Sequence, residues 1–146
     1  MRYPVPQGLG EPLIVLPGNP AAGANLIYPL PAGYRYQLKS LIFTFVTDAT
    51  VSNRNCILQV TSGVPNTLWE ITQQYNHAAN TTVTYCFSDH GYSTSTLMAA
   101  RLYADVPVTM SLLAGWVVRT AINNLQAGDQ LSVSAIVFHR WEESAP

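Results

Sequence analysis

The residues of this sequence that could do chemistry are three histidines and two cysteines, and their spacing assembles no familiar site. His77, His90 and His139 lie 13 and 49 residues apart, and no segment carries the closely spaced His, His and Glu that would hold a metal. Cys86 and His90 are four residues apart, but at the end of a strand this spacing does not bring both side chains to one metal. We therefore expect no metal and no other cofactor.

Motifs for nucleophilic catalysis and phosphate binding are also missing. The sequence has no Gly-x-Ser-x-Gly turn and no glycine-rich phosphate loop. Acidic residues are few, and two of the eight, Glu142 and Glu143, belong to the C-terminal tail, so a carboxylate pair for glycoside hydrolysis has few candidates. We expect that the protein is not an enzyme.

Aromatic side chains offer a different kind of chemistry, because they stack on sugar rings and also pack in subunit interfaces. The core or an interface is the usual place of such residues in β-sandwiches. Trp141, with His139 beside it near the C-terminus, is the strongest interface candidate, since a strand end is easily shared between subunits. The candidates for a sugar-binding platform are Trp69, Trp116, Trp141, Tyr75, Tyr92 and Tyr103.

Charged residues make up only 10% of the chain, whereas a typical soluble domain carries about 25%. Lys39 is the single lysine. A monomer normally keeps apart from its neighbours by a cover of Lys and Glu, so this composition indicates a surface that packs against other protein. The seven basic residues are scattered from Arg2 to Arg140 without a run, and we expect no direct contact with nucleic acid.

Length and hydropathy narrow the remaining classes. A chain of 146 residues forms one domain that buries about 68–70% of its unfolded surface. Prolines interrupt the N-terminus, which is not typical of a secretory signal, and the apolar stretch 110–118 is about half the length that spans a bilayer. We expect synthesis in a cytoplasm and no membrane partner. The sequence leaves open whether Cys56 and Cys86 form a disulfide.

The chain after residue 31 shows the period-two alternation of β-strands. Six to eight strands at this spacing predict an all-β fold, an antiparallel β-sandwich of jelly-roll type that forms a single domain over residues 31–146. The segments in which apolar and polar residues alternate most clearly are 34–47, 54–61, 67–74, 81–88, 112–122 and 130–141.

Three local features complete this prediction. A single helical turn is expected at 97–100, in the stretch with the least clear pattern. In the turn 125–129, Gly128 is expected to take a positive φ. In the last strand, one face is expected to carry Leu131, Val133, Ala135 and Val137.

The first 31 residues hold seven of the ten prolines, which predicts an extended Pro-rich N-terminal arm over residues 1–30. The arm carries apolar residues that a solvated tail would not need. It either folds back over its own sandwich or lies on a neighbouring subunit or an underlying shell. The residues that the second alternative assigns to a subunit or capsid interface are Val5, Leu9, Leu13, Ile14, Leu16 and Tyr28, joined by His139 and Trp141 of the last strand.

Three stretches resemble strands of small jelly-roll virion proteins of tailed bacteriophages. PAGYRYQLKSLIFTFVTD at 31–48 and VSNRNCILQV at 51–60 resemble their opening strands, and LQAGDQLSVSAIVFHRWEE at 125–143 resembles their last strand. The resemblance covers roughly two-thirds of the chain. It is one of alternating turns and strands, and it carries no catalytic residues over to this sequence.

The resemblance implies a non-enzymatic virion structural protein, a capsid decoration or cement protein that binds and stabilises the phage head. Such proteins commonly sit as homotrimers on the outer surface of the head, where they contact the major capsid protein, often through N-terminal arms. The alternative is a tail, fibre or spike head, or another glycan-binding β-sandwich module that recognises a host surface through its aromatic residues.

Overall fold

Ten strands and no helix make up the regular structure of the described residues, which in this computed structural model are 10–62, 66–89, 94–98, 100–107 and 110–143. The all-β prediction is confirmed. The strands are β1 (Glu11–Val15), β2 (Ile27–Pro29), β3 (Tyr34–Val46), β4 (Cys56–Thr61), β5 (Thr67–Thr72), β6 (Thr82–Ser88), β7 (Thr94–Met98), β8 (Arg101–Asp105), β9 (Val117–Ile122) and β10 (Gln130–Glu142).

The strands form two sheets with a shared hydrophobic core. The six-stranded sheet has the order β1-β10-β3-β6-β8-β7, and the four-stranded sheet has the order β2-β9-β4-β5. Neighbouring strands are antiparallel except for β6 and β8, which are parallel, so the purely antiparallel prediction is wrong for that pair. Each fully buried Leu or Phe of the core stabilises the fold by about 1.5–3 kcal/mol.

The alternation predicted for β3, β4 and β6 is confirmed in β4, in β6 and in the second half of β3, where every second residue points into the core. The opposite set is partly exposed, as period-two geometry requires. The buried residues are Leu41, Phe43 and Phe45 of β3, Cys56, Leu58 and Val60 of β4, and Val83, Tyr85 and Phe87 of β6.

Two of the strands lie in the Pro-rich segment and pair with the rest of the chain. β1 runs along β10 and β2 runs along β9, both antiparallel. Leu26 and Leu30 are buried in the core. Residues 10–30 thus follow the first of the two alternatives that the sequence left open, in which the segment folds onto its own sandwich. The division of the chain at residue 30 stays a prediction.

The stretch 94–122 differs most from the sequence prediction. The helical turn expected at 97–100 is wrong, because Thr94–Met98 forms β7 and pairs with β8. β-branched Thr residues favour an extended backbone, and pairing with β8 outweighs the weak helical preference of Leu97 and Met98. The strand expected at 112–122 is shorter, since β9 begins at Val117 and Leu112 makes only an isolated bridge with Tyr36.

β10 changes its inward face along its length. Leu131 is buried as predicted, but further along the strand Ile136 and Phe138 are buried in place of Ala135 and Val137. The register with β3 shifts between Val133 and Ala135, which marks a β-bulge. A bulge inserts one extra residue and exchanges the faces beyond it, so a strict alternation fails here.

Candidate functional site

Among the described residues, Arg54 is the only cation with a fully buried side chain, and it bonds three acceptors where several loops meet at one end of the sandwich. Its Nε donates to Oδ2 of Asp129 at 2.7 Å, and its Nη2 donates to Oδ1 of Asp48 at 2.7 Å. Its Nη1 donates to the carbonyl oxygen of Thr50 at 2.9 Å. The guanidinium thereby joins the loop after β3, the segment before β4 and the turn between β9 and β10 through charge-assisted hydrogen bonds.

Asp129 is buried and fully hydrogen-bonded. Besides the bond from Arg54, it accepts hydrogen bonds from the backbone N–H groups of Asp48 at 2.9 Å and Gln126 at 2.8 Å. Burial raises the pKa of Asp129, but the two backbone hydrogen bonds and Arg54 outweigh it, so the pKa of this carboxyl lies below its ordinary value of 3.8. The carboxylate is therefore ionised at neutral pH.

Gly128 has a different role from the one that the sequence predicted. Its φ is not positive, and the left-handed conformation near this turn belongs to Asn124, with a φ of 53°. A Cβ at Gly128 would lie 2.8 Å from Oδ2 of Asp48. Glycine is required here because the Asp48 side chain passes close to the backbone.

His77 is fully buried next to Arg54 and is enclosed by aromatic rings. Its backbone N–H donates to the carbonyl oxygen of Arg54 at 2.9 Å, and its ring Nε2 is hydrogen-bonded to the hydroxyl of Tyr85. The rings of Phe45 and Tyr75 meet it edge to face, each with a centroid distance of 4.9 Å. The other ring nitrogen, Nδ1, lies 3.4 Å from Oγ1 of Thr81, and the His77 side chain has no exposed surface.

Burial and a neighbouring charge keep His77 neutral. Burial makes the largest contribution and the Arg54 cation the next, and together they lower the pKa of His77 from 6.5 to about 4, against a smaller opposite effect of Asp129. Burial also raises the pKa of the Tyr85 phenol. Both partners of the hydrogen bond are thus uncharged at neutral pH.

The buried polar cluster, defined as Arg54, Asp48, Asp129, His77 and Tyr85, holds loops together. Four of its five members are at most 1% exposed, and only Asp48 reaches the surface. Its charged and polar groups bond each other, and no substrate has access to the His77 ring. The arrangement fits a structural cross-link, which the sequence analysis did not foresee.

Metal-binding and disulfide chemistry are not assembled in the described residues. Among residues 10–62, 66–89, 100–107 and 110–143, no three His, Cys, Asp or Glu side chains group together as metal ligands. Cys56 and Cys86 are both free, and they lie on different sheets. His139 lies against Trp141, far along the chain from His77, and His90 falls outside the described residues.

Of the predicted interface residues, Ile14 and Leu16 present the most apolar surface. Ile14 is 68% exposed and Leu16 is 75% exposed, on and just beyond the edge strand β1. Leu13 and Tyr28 instead pack against the core, and Tyr28 stacks on Phe138 with a centroid distance of 6.0 Å. Val5 and Leu9 fall outside the described residues.

His139 and Trp141 lie on the outward side of β10 and are partly covered by the start of β1. A Cβ at Gly10 would lie 2.7 Å from Cε2 of Trp141, so the indole packs directly on the Gly10 backbone, which has a φ of 71°. Nearby, Nε of Arg140 donates to Oε2 of Glu11 at 2.8 Å. These contacts attach β1 to β10 within one chain.

The aromatic candidates for sugar binding lie on different elements. Trp69 lines a small cleft with Leu38, Val106 and Met110 that has room for about one water molecule. Tyr75 packs on His77, and Trp116 packs against the core. Tyr103 lies on the outward side of β8, and Tyr92 falls outside the described residues.

Comparisons of the chain with models of known families, with curated proteins and with solved structures find no match. In the part of the chain that the structure describes, no helix is long and apolar enough to cross a membrane.

Proposed function

We propose that this chain is a non-enzymatic virion structural protein, a capsid decoration or cement protein. In this role it binds the major capsid protein on the outer surface of a phage head and stabilises the shell as a homo-oligomer, for which the resemblance implies three copies. It makes no contact with nucleic acid or membrane.

The exposed apolar residues of the N-terminal segment carry the proposal. Ile14 and Leu16 project large apolar side chains into solvent from the edge of the six-stranded sheet. A solvated edge usually carries charge, because an exposed apolar edge associates with other proteins. We assign the shell contact to this segment, within the extended Pro-rich arm 1–30.

We also propose that the sandwich is of jelly-roll type, and the nesting of its strand pairs supports this. Counted inward from the two ends of the chain, β1 pairs with β10, β2 with β9, β3 with β6, and β4 with β5. Successive pairs alternate between the two sheets. Eight strands wrapped in this way make two Greek keys, and β7 and β8 then form an added hairpin on the edge of one sheet.

Cementing a shell needs many shallow contacts and no reaction, which agrees with the surface of this chain. Its charged residues are few, and of the buried polar cluster only Asp48 reaches the surface. Apolar and small polar side chains on a preformed edge lose little conformational entropy when they dock.

The decisive experiment mixes the purified chain with empty shells assembled from the major capsid protein of the same virion. We expect the chain to sediment with the shells and to raise their melting temperature. The variant Ile14→Ser/Leu16→Ser should remain folded and lose sedimentation with the shells. The matched variant Leu68→Ser, at an exposed apolar position on the four-stranded sheet, should bind like the wild type.

Failure of the wild-type chain to bind shells would contradict the proposed function. Binding to host cells or to their surface glycans in its place would support the alternative, a receptor-binding head. Equal loss of binding by the Leu68→Ser variant would show that Ile14 and Leu16 are not the contact.

A further inference from the structure

The outward side of the six-stranded sheet carries a straight row of apolar side chains. Ala135 of β10 is opposite Ile42 of β3, Ile42 is opposite Cys86 of β6, and Cys86 is opposite Tyr103 of β8. Residues directly opposite one another point to the same side of a sheet. We call these four residues the central row; they run across four strands, at right angles to the strand direction.

Two further rows flank the central row, one on each side. The first row is Ser132, Thr44, Thr84 and Arg101, and the second row is Val137, Ser40, Ser88 and Asp105, by the same strand registers. Of the twelve side chains in the three rows, two are charged. Arg101 ends the first row and Asp105 ends the second, on the same strand β8.

The outward side of the four-stranded sheet has a different character. Its central row runs from Ile27 of β2 through Arg119 of β9 and Gln59 of β4 to Glu70 of β5. Nε2 of Gln59 donates to Oε2 of Glu70 at 3.0 Å, so these polar groups bond each other along the surface. The centre of this sheet is charged and polar, whereas the centre of the other sheet is apolar.

We infer that two copies of this chain pack face to face through the outward side of the six-stranded sheet, about a two-fold axis that runs along the central row. This axis lies at right angles to the strands. It places each residue of the central row against the same residue of the second copy, Ile42 on Ile42 and Cys86 on Cys86. It also places the first flanking row of one copy over the second flanking row of the other.

The charges of the flanking rows favour this axis over others. Arg101 of each copy then faces Asp105 of the other copy, so the two charged residues of the three rows form two complementary pairs. Thr84 faces Ser88 and Thr44 faces Ser40, which brings hydroxyl groups together. A two-fold axis parallel to the strands would superpose β8 on β10 and leave Arg101 opposite Ser132.

The area of the surface is large enough for a specific dimer. Six strands spaced about 4.8 Å apart and about seven residues long cover about 700 Å² per copy, close to the about 800 Å² per partner of a standard interface. Sheets that pack face to face keep their strands within about 30° of each other, as an axis at right angles to the strands allows. Because Cys86, Ser88, Thr84 and Thr44 are small, the two sheets can approach closely.

The inference rests on the registers of one sheet and not on the proposed role at a shell, but it shares one residue with that role, because Ile14 of β1 lies opposite Val137 at the end of the second flanking row. It adds a two-fold contact to any oligomer that the edge strands form. In solution, this contact alone gives a dimer; in a homotrimer it would join copies that belong to two different trimers.

Cys86 gives a direct test in the unmodified protein. The chain has two cysteines, and Cys56 is fully buried, so a short bismaleimide in native buffer reports on Cys86. We expect a band at twice the chain mass on a denaturing gel for the wild type and none for Cys86→Ser. The matched control Cys86→Ser/Gln59→Cys, with its thiol on the other sheet, should give no such band.

A second test disrupts the contact without depending on thiol chemistry. Ile42→Lys places two ammonium groups against each other on the axis, whereas Ile57→Lys makes the same change at an outward position of β4 in the other sheet. We expect Ile42→Lys to halve the mass in light scattering and Ile57→Lys to leave it unchanged. Arg101→Glu should also halve it, and Arg101→Glu/Asp105→Arg should restore it.

Two results would overturn the inference: a mass of one or three times 16.0 kDa for the wild type with no Cys86 cross-link, or equal effects of Ile42→Lys and Ile57→Lys. A mass of three chains would at the same time support the homotrimer that the resemblance implies. The two-fold contact and the role at a shell can thus fail separately. Circular dichroism and thermal melts of each variant distinguish loss of association from loss of the fold.

Discussion

Charged side chains usually lie at the surface of a protein and apolar side chains inside. The buried polar cluster and the outward side of the six-stranded sheet show the opposite distribution. The cluster gathers one cation and two carboxylates inside the fold, where Arg54 and Asp129 have no solvent contact. The sheet surface carries an apolar row across four strands. In a free-standing monomer the charges would lie outside and the apolar row inside.

The difference shows what each region contributes. Charges inside the fold fix the loops at one end of the sandwich in a single arrangement, since each needs a specific partner to offset its desolvation. An outer surface with little charge lets protein surfaces meet at short range. From the contrast between the two regions we infer a strongly specified interior, and we expect an exterior that associates with other protein.

Arg54→Met gives the largest effect that we expect. It removes the cation that pairs with the buried carboxylate of Asp129 and leaves that charge with two backbone hydrogen bonds, which costs about 3–5 kcal/mol of unfolding free energy. Urea unfolding measures this change. Arg101→Met, at an exposed arginine, is the control and should change the stability of the monomer by about 0.5 kcal/mol or less. A loss below about 1 kcal/mol for Arg54→Met would mean that the cluster is not a structural cross-link.

Acid should destabilise the fold through His77. The pKa of His77 is about 4 in the folded chain, whereas it has its ordinary value of 6.5 in the unfolded chain. Between pH 4 and 6.5 the unfolded chain therefore binds more protons than the folded chain. Stability is fully present above pH 6.5 and falls as the pH is lowered to 4, by about 3 kcal/mol at most. The pKa of Asp129 is lowered below 3.8, so the stability that its ionised carboxylate contributes is lost only below the pH range in which His77 acts.

The variant His77→Gln separates this effect from general acid denaturation. Gln retains a hydrogen-bonding side chain for Tyr85 and does not titrate, so its urea midpoint should be nearly constant from pH 6.5 to 4. His139→Gln, on the outward side of β10, should keep the wild-type slope. If His77→Gln and the wild type show the same pH dependence, another group is responsible.

The N-terminal segment can be compared in the same way, because one of its asparagines bonds buried groups and another bonds an exposed one. Oδ1 of Asn25 accepts hydrogen bonds from Oγ1 of Thr120 and the backbone N–H of Ile122, both at 3.0 Å. Asn25→Ala leaves these donors unpaired and should cost about 1–3 kcal/mol in thermal or urea unfolding.

Asn19→Ala is the matched control, since Oδ1 of Asn19 accepts only from the exposed backbone N–H of Val133, at 2.8 Å. Its cost should be clearly smaller than that of Asn25→Ala. Equal and small effects would mean that residues 10–30 contribute little to the sandwich and act as a separable arm.

The smallest effect on stability is expected at the exposed apolar residues. Ile14→Ser/Leu16→Ser should change the unfolding free energy of the monomer by about 0.5 kcal/mol or less, because neither side chain is buried. Leu13→Ser on the same strand, at a residue that packs against the core, should cost more. A large loss for the double variant would show that these side chains serve the fold and not an interface.

The sequence predicted those parts of the fold in which one face of a strand is buried throughout. β6 and the second half of β3 show this alternation. The prediction from the sequence failed in β10, where a bulge exchanges the inward and outward sides of the strand. It also failed in β7, because that strand depends on pairing with β8. The cluster was missed because Arg54 and Asp129 lie 75 residues apart and nothing local distinguishes them from surface charges.

The solution mass of the purified chain tests most directly whether its outer surface packs against other copies. We predict a stable oligomer of the 16.0 kDa chain at micromolar concentration in multi-angle light scattering. A monodisperse monomer that stays soluble at high concentration would contradict an associating exterior, and a ligand-binding module would then replace the cement protein as the proposed function.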